Sequence, residues 1–127
     1  MRKYYGTRSF EIDEELTKGN SVILEIEVQV AGQVIKKRKD AVSIFILPSS
    51  LNELKNRLVG RGLDSEQAII NRIMVAEKEI GSALDYDYIV VNDKLAVCAE
   101  DVCKIIDSEY MKSSRFGYII DEVLKNE

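Results

Sequence analysis

The sequence predicts an α/β fold: a parallel sheet of about three strands with flanking helices. Three observations carry that expectation. Short β-branched runs, "VILEIEV", "AVSIFIL" and "YIVVN", recur along the chain. Stretches with helical spacing separate them. The breaks between elements fall on Gly, Pro, Ser and Asn-Asp, which punctuate local structure. Strands alternating with helices imply parallel pairing through right-handed crossovers.

The elements follow in order. "SFEIDEELTKGN" reads as a short helix in which Phe10 and Leu16 share a side and Gly19 supplies the left-handed stop. In "VILEIEV", Val22, Leu24, Ile26 and Val28 point one way and Ile23, Glu25 and Glu27 the other, the alternation of a strand. "AGQVIKKRK" is a helix with a basic outer face. "AVSIFIL" is a second, buried strand stopped at Pro48. "SSLNELKNRL" carries a capping box, with Ser50 at the N-cap and Glu53 three residues on, and an apolar stripe of Leu51, Leu54 and Leu58. "GRGLD" breaks that helix. A long helix runs from about Ser65 to Leu84 with Ile69, Ile73, Ala76 and Ile80 on one face. "YIVVN" is the third strand. Asn92 and Asp93 are placed to cap the next helix, whose stripe is Cys98, Val102, Ile105 and Ile106. A last helix covers roughly Tyr118 to Lys125.

Composition bounds the chemistry. A chain of 127 residues, 46% apolar and 31% charged, describes one ordinary globular domain. Its net charge, 18 minus 22 or −4, argues against a general nucleic-acid binder. Apolar runs are too short for a membrane span or a secretory signal, so a cytoplasmic protein is expected. With no histidine, Ser-His and Cys-His catalysis is excluded. Cys98 and Cys103, with no second pair, read as lone helix thiols and give no zinc site. Chemistry must rest on carboxylates, lysines, arginines or charges that a ligand brings.

In open α/β sheets, ligands sit beyond the carboxyl ends of the strands. Glu25 and Glu27 fall near the end of the first predicted strand, and Asn92 and Asp93 end the third. Arg57 and Arg61 follow the second strand, and Arg72 lies on the next helix. Carboxylates opposite arginines suit a magnesium-phosphate ligand. Each residue also has a plain reading: the solvent face of an edge strand, exposed helix charges, a helix cap, or, for Tyr4 and Tyr5, a frayed terminus. It is their joint placement at one sheet edge that points to a site.

"YYGT", "ILEIEVQ", "FILPSSLNELKNRLVGRGLDSEQAIINRI" and "YDYIVVND" resemble, in order and spacing, the guanylate kinases. The resemblance runs from Lys3 to about Glu109. It implies transfer of a phosphoryl group from ATP to GMP with Mg2+, giving ADP and GDP. By the same resemblance, Tyr5, Thr7, Glu25 and Glu27 fall on the GMP side. Arg57, Arg61 and Arg72 match the catalytic arginines of the lid region that close on the ATP phosphates, so Arg61 also counts as ATP-binding, and Asn92, likewise on the ATP side, matches a residue beside the adenine. Residues 1–8 resemble the end of the GMP-binding module, 9–48 core, 49–72 a mobile lid, and 73–127 core and C-terminal helices. Together they form a single partial kinase domain of the P-loop nucleoside monophosphate kinase fold.

Two departures stand out. No G-x-x-x-x-G-K-[ST] occurs in the 127 residues, so this chain alone is expected to be inactive. Val30 follows the glutamine of "EVQ" where the family has glycine, with Gly32 displaced. In this architecture a further strand would lie between those of "VILEIEV" and "SIFIL". Without it those two strands are expected to pair directly or to associate with a second copy. A non-catalytic guanylate-kinase-like interaction module is the alternative. A P-loop kinase for another nucleoside monophosphate fits less well, because "YYGT" belongs to the GMP module.

Overall fold

The structure is a computed structural model that describes the backbone of residues 5–126 and the side chains of residues 10–126. The chain forms two compact units, residues 1–33 and 34–127.

In the first unit, helix α1 spans Tyr5–Thr17. It ends where expected, with Gly19 in the left-handed region at φ 87° and its N–H on the Leu16 carbonyl at 3.0 Å. Among the described side chains of α1, Ile12 is buried, while Phe10 and Leu16, expected to share a side, are both exposed. Residues 20–27 have neither helical nor strand structure. The strand expected over 22–28 is therefore absent, and the sheet has two strands among the described residues, not about three. The local reason is visible. Helix α2, Val28–Lys37, takes over at Val28, and the Ala31 N–H bonds the Glu27 carbonyl at 2.9 Å. Alternation alone does not make a strand; a neighbouring ladder must take up the N–H and C=O groups. The alternation survives as exposure: Val22, Leu24 and Ile26 are half-buried, while Ile23, Glu25 and Glu27 are exposed.

The second unit holds the sheet. Strands β1 (Ile44–Pro48) and β2 (Tyr88–Asn92) pair in parallel, with Ile44 opposite Tyr88 and Pro48 opposite Asn92. Between them come α3 (Leu51–Arg61), α4 (Glu66–Ile80) and a single 3₁₀ turn at Ala83–Asp85. After β2 follow α5 (Leu95–Tyr110), α6 (Ser113–Phe116) and α7 (Tyr118–Lys125). Ser50 caps α3, its hydroxyl accepting from the Glu53 N–H at 3.0 Å. Ser65 caps α4 in the same way through Ala68 at 3.2 Å. Gly62, at φ 65°, closes α3 in the left-handed conformation that glycine adopts without strain. The long helix stops at Ile80, short of the expected Leu84, because the 3₁₀ turn intervenes. α6 was not expected from the sequence.

Leu58, Ala76 and Cys98 are buried, on the faces the sequence assigned to them, and Ala83 is buried in the 3₁₀ turn. Phe45 and Val90 are the buried strand residues, and the register places them on opposite faces of the sheet. Their register partners, Ile89 and Ile46, are each 45% exposed. Each sheet face is thus only half covered, whereas parallel sheets normally have both faces packed.

Side chains lock the amino end of the sheet. The Asp87 carboxylate accepts from the Ser43 N–H at 2.9 Å and from its hydroxyl at 3.1 Å. The Asp87 N–H in turn donates to the Ser43 hydroxyl at 2.9 Å. Phe45 meets Tyr86 edge to face at 5.1 Å.

Candidate phosphate-binding site

The carboxyl end of β2 brings together two of the predicted residues, Arg57 and Asn92. Arg57, one turn before the end of α3, donates from Nη2 to the Asp93 carbonyl at 3.1 Å. This contact fixes α3 against the loop that leaves β2 at Asn92. The expected cap fails because the residue preceding α5 is Lys94, in extended conformation and with no side-chain cap bond, so Asn92 and Asp93 lie too far upstream. Asn92, the last residue of β2, is half-buried beside Asp93 in sequence.

Glu53, Arg57 and Arg61 recur at four-residue spacing on α3, which sets them along one face of the helix. Arg57 Nε lies 3.4 Å from Glu53 Oε1. Arg61, the last residue of α3, donates from Nη2 to Asp64 Oδ2 at 2.8 Å across the turn at Gly62. Arg72, near the middle of α4, reaches two turns along its own helix to Glu79 Oε1 at 3.3 Å. All three arginine side chains are about half exposed. They are open to an incoming anion and are not built into the core. Near Glu79, burial and then the Glu79 charge push the Tyr86 hydroxyl above its ordinary 10.0.

The acids expected opposite the arginines have a different setting. Glu25 and Glu27 belong to the first unit, on its irregular segment, and both are exposed. They do not sit at the end of a strand. Tyr4 lies outside the described residues, as do the side chains of Tyr5 and Thr7, whose backbones form the first turn of α1. No cluster of three or more acidic or thiol groups that could hold a metal occurs among the described residues.

A second polar cluster escaped the sequence reading. Glu109, buried near the end of α5, accepts from the Tyr88 hydroxyl at 2.6 Å and pairs with Lys112 at 2.9 Å through the same oxygen, Oε2. Its Oε1 is buried without a hydrogen bond, 3.6 Å from the Arg115 guanidinium. Arg115 donates instead to the Asp40 carbonyl at 2.6 Å. The Tyr88 hydroxyl, with Lys112, holds the Glu109 carboxyl below its usual range although burial works the other way. Glu109 in turn raises Tyr88 and Lys112 above theirs. The spacing Glu109-Lys112 is readable as a helical i,i+3 pair; the Tyr88 contact is not, because it joins a strand to a helix 21 residues later. Asp64 and Glu79 were also overlooked as arginine partners.

Helices flanking a small parallel sheet give the α/β fold of the P-loop kinase class. A crystal structure of guanylate kinase from Anaplasma phagocytophilum superposes with a TM-score of 0.69 at 30% identity, over 82% of this chain and 49% of that one. The family model described as guanylate kinase matches residues 1–109. The guanylate kinase of Streptococcus thermophilus strain CNRZ 1066 is 51% identical over 112 residues, covering 88% of this chain and 54% of the relative. That of Streptococcus pyogenes serotype M3 is 47% identical over 122 residues, covering 96% and 58%. The chain belongs to the guanylate kinase family, and it spans about half the length of the curated relatives it matches. It corresponds to a C-terminal region of such an enzyme.

Proposed function

We propose that these residues serve phosphoryl transfer from ATP to GMP. In that step the bond from the γ-phosphorus to the β–γ bridging oxygen breaks. A bond to a GMP phosphate oxygen forms, and ADP and GDP leave. Arg57, Arg61 and Arg72 neutralise the transferring phosphoryl charge, and Asn92 lies on the adenine side. Tyr5, Thr7, Glu25 and Glu27 serve the GMP side. Residues 49–72, which contain α3 and the Gly62 turn, act as a lid that excludes water. The observation that carries this reading is the Arg57–Asp93 contact, with Arg61 one turn further along the same helix face. Family membership over residues 1–109 supports it.

Magnesium would enter as the ion carried by the phosphates of ATP, where it supplies charge neutralisation. The 127 residues alone are inactive in this reading, since they contain no phosphate-cradling G-x-x-x-x-G-K-[ST] loop. No described helix is long and apolar enough to cross a membrane, and a cytoplasmic setting fits the substrates. The two free strand edges and the half-exposed Ile46 and Ile89 support self-association, which sedimentation of the pure chain would report as a dimer or as a monomer.

The test is a chimera in which the upstream part of the Streptococcus thermophilus enzyme is joined to this chain. Arg61→Ala in an active chimera should lower kcat by about 10³-fold or more, the range for an arginine on transferring phosphoryl charge. A drop of less than tenfold would return Arg61 to the rank of an exposed helix charge.

A further inference from the structure

We infer that the three arginines are held, before any phosphate arrives, by carboxylates of their own segments that occupy the places of phosphate oxygens. The inference rests on the phosphate-binding reading above. Its basis is a pattern, since each arginine pairs with an acid a short way along its own segment. Arg57 has Glu53, Arg61 has Asp64 and Arg72 has Glu79, at 3.4, 2.8 and 3.3 Å. None of these acids comes from the GMP side or from another layer of the fold.

The chemistry of the exchange is direct. A guanidinium offers five N–H donors in a planar fork, and carboxylate and phosphate oxygens compete for the same donors. Each arginine beside its carboxylate forms a neutral pair, so an incoming polyphosphate gains an arginine's charge only as that carboxylate turns away. The pairs are half exposed, and an exposed pair shifts an equilibrium by no more than about fivefold. That strength suits a placeholder: it keeps each guanidinium in one region and yields to a multiply charged ligand.

Asp64 is the clearest case. Its pair is the shortest of the three, and it spans the left-handed turn at Gly62. It joins the last residue of α3 to the residue before the Ser65 cap of α4. Asp64 is therefore a positioning residue for Arg61. Releasing Arg61 to a phosphate also releases its side-chain link across that turn.

The experiment uses the 15N-labelled 127-residue chain and follows the arginine Nε–H resonances during titration with sodium tripolyphosphate. In Asp64→Asn, the Arg61 midpoint should fall about two- to fivefold below that of the unsubstituted chain. Asp64→Glu, which keeps the carboxylate, should stay near the unsubstituted midpoint. A merely structural role for Asp64 would give the two variants the same midpoint. An Asp64→Asn midpoint that is unchanged or higher overturns the inference and leaves the phosphate reading standing. If no arginine resonance moves in the unsubstituted chain, the carboxylates do not yield to a polyphosphate and the inference is overturned, while the phosphate reading is decided separately by the Arg61→Ala chimera.

Discussion

Arg57 and Asp93 are joined by a hydrogen bond of 3.1 Å, from a guanidinium on α3 to a main-chain carbonyl just past the end of β2. The bond spans 36 residues of sequence. It is the link that holds the first arginine of the proposed site at the carboxyl end of the sheet. Replacing Arg57 with Ala removes it together with the Glu53 pair. Because the side chain is partly exposed, the expected cost is about 1 kcal/mol. A urea melt measures it, and faster amide exchange at the start of α5 should accompany it. No change in either would mean that the contact does not hold the loop.

Ser43 should matter more. It is buried, and its hydroxyl both donates to Asp87 and accepts from the Asp87 N–H. Ser43→Ala leaves that N–H without its partner at the first residues of the sheet, at an expected cost of about 1–3 kcal/mol. Ser50→Ala removes only an exposed helix cap, worth about 1 kcal/mol. Urea denaturation of the two variants side by side should rank Ser43→Ala as the more damaging.

The Glu109 cluster predicts a pH profile. Glu109 lies below its ordinary 4.5 in the fold, so its contribution is present above that value and is lost as pH falls through the lowered one. Lys112 and Tyr88 lie above their ordinary 10.5 and 10.0. Their contributions are complete below those values and are lost as pH rises through the raised ones. The urea midpoint should therefore form a plateau between an acid limb and an alkaline limb. Glu109→Gln should lower the plateau and shrink the acid limb. An acid limb unchanged in that variant would place its origin elsewhere.

Two glycines should respond in opposite directions. Gly62 sits at φ 65°, a conformation that disfavours a side chain, so Gly62→Ala should destabilise by about 1 kcal/mol. Gly32 lies inside α2, and among the described residues nothing beyond its own helix backbone and chain neighbours comes within 4 Å of where a Cβ would sit. Gly32→Ala should stabilise by about 0.5–1 kcal/mol. Thermal melts decide both signs. The displaced glycine thus answers no steric demand at its present position, and Val30 is accommodated on α2, where it is half-buried.

Much of the fold was legible because it is local. The Ser50 capping box, the Gly19 and Gly62 stops, the stripe of α4 and the bounds of α7 depend on residues within a few positions of one another. What failed depended on distant partners. "VILEIEV" has a strand's alternation, but strand formation needs a ladder, and α2 claims Val28. Asp93 has a cap's chemistry, but α5 starts at Leu95, so Lys94 holds the cap position. Of the proposed site, the arginines were recognisable from family-like spacing. Their pairing with Asp64 and Glu79, and the bond from Tyr88 to Glu109, needed the structure.

The most direct measurement is ADP formation from ATP, GMP and magnesium, by this chain alone and by its chimera with the upstream part of the Streptococcus thermophilus enzyme. A silent chain and an active, GMP-dependent chimera are the predicted result. A chimera that folds yet forms no ADP, or a chain that forms ADP unaided, would contradict the reading of these residues as the C-terminal region of a guanylate kinase that needs the rest of its fold to act.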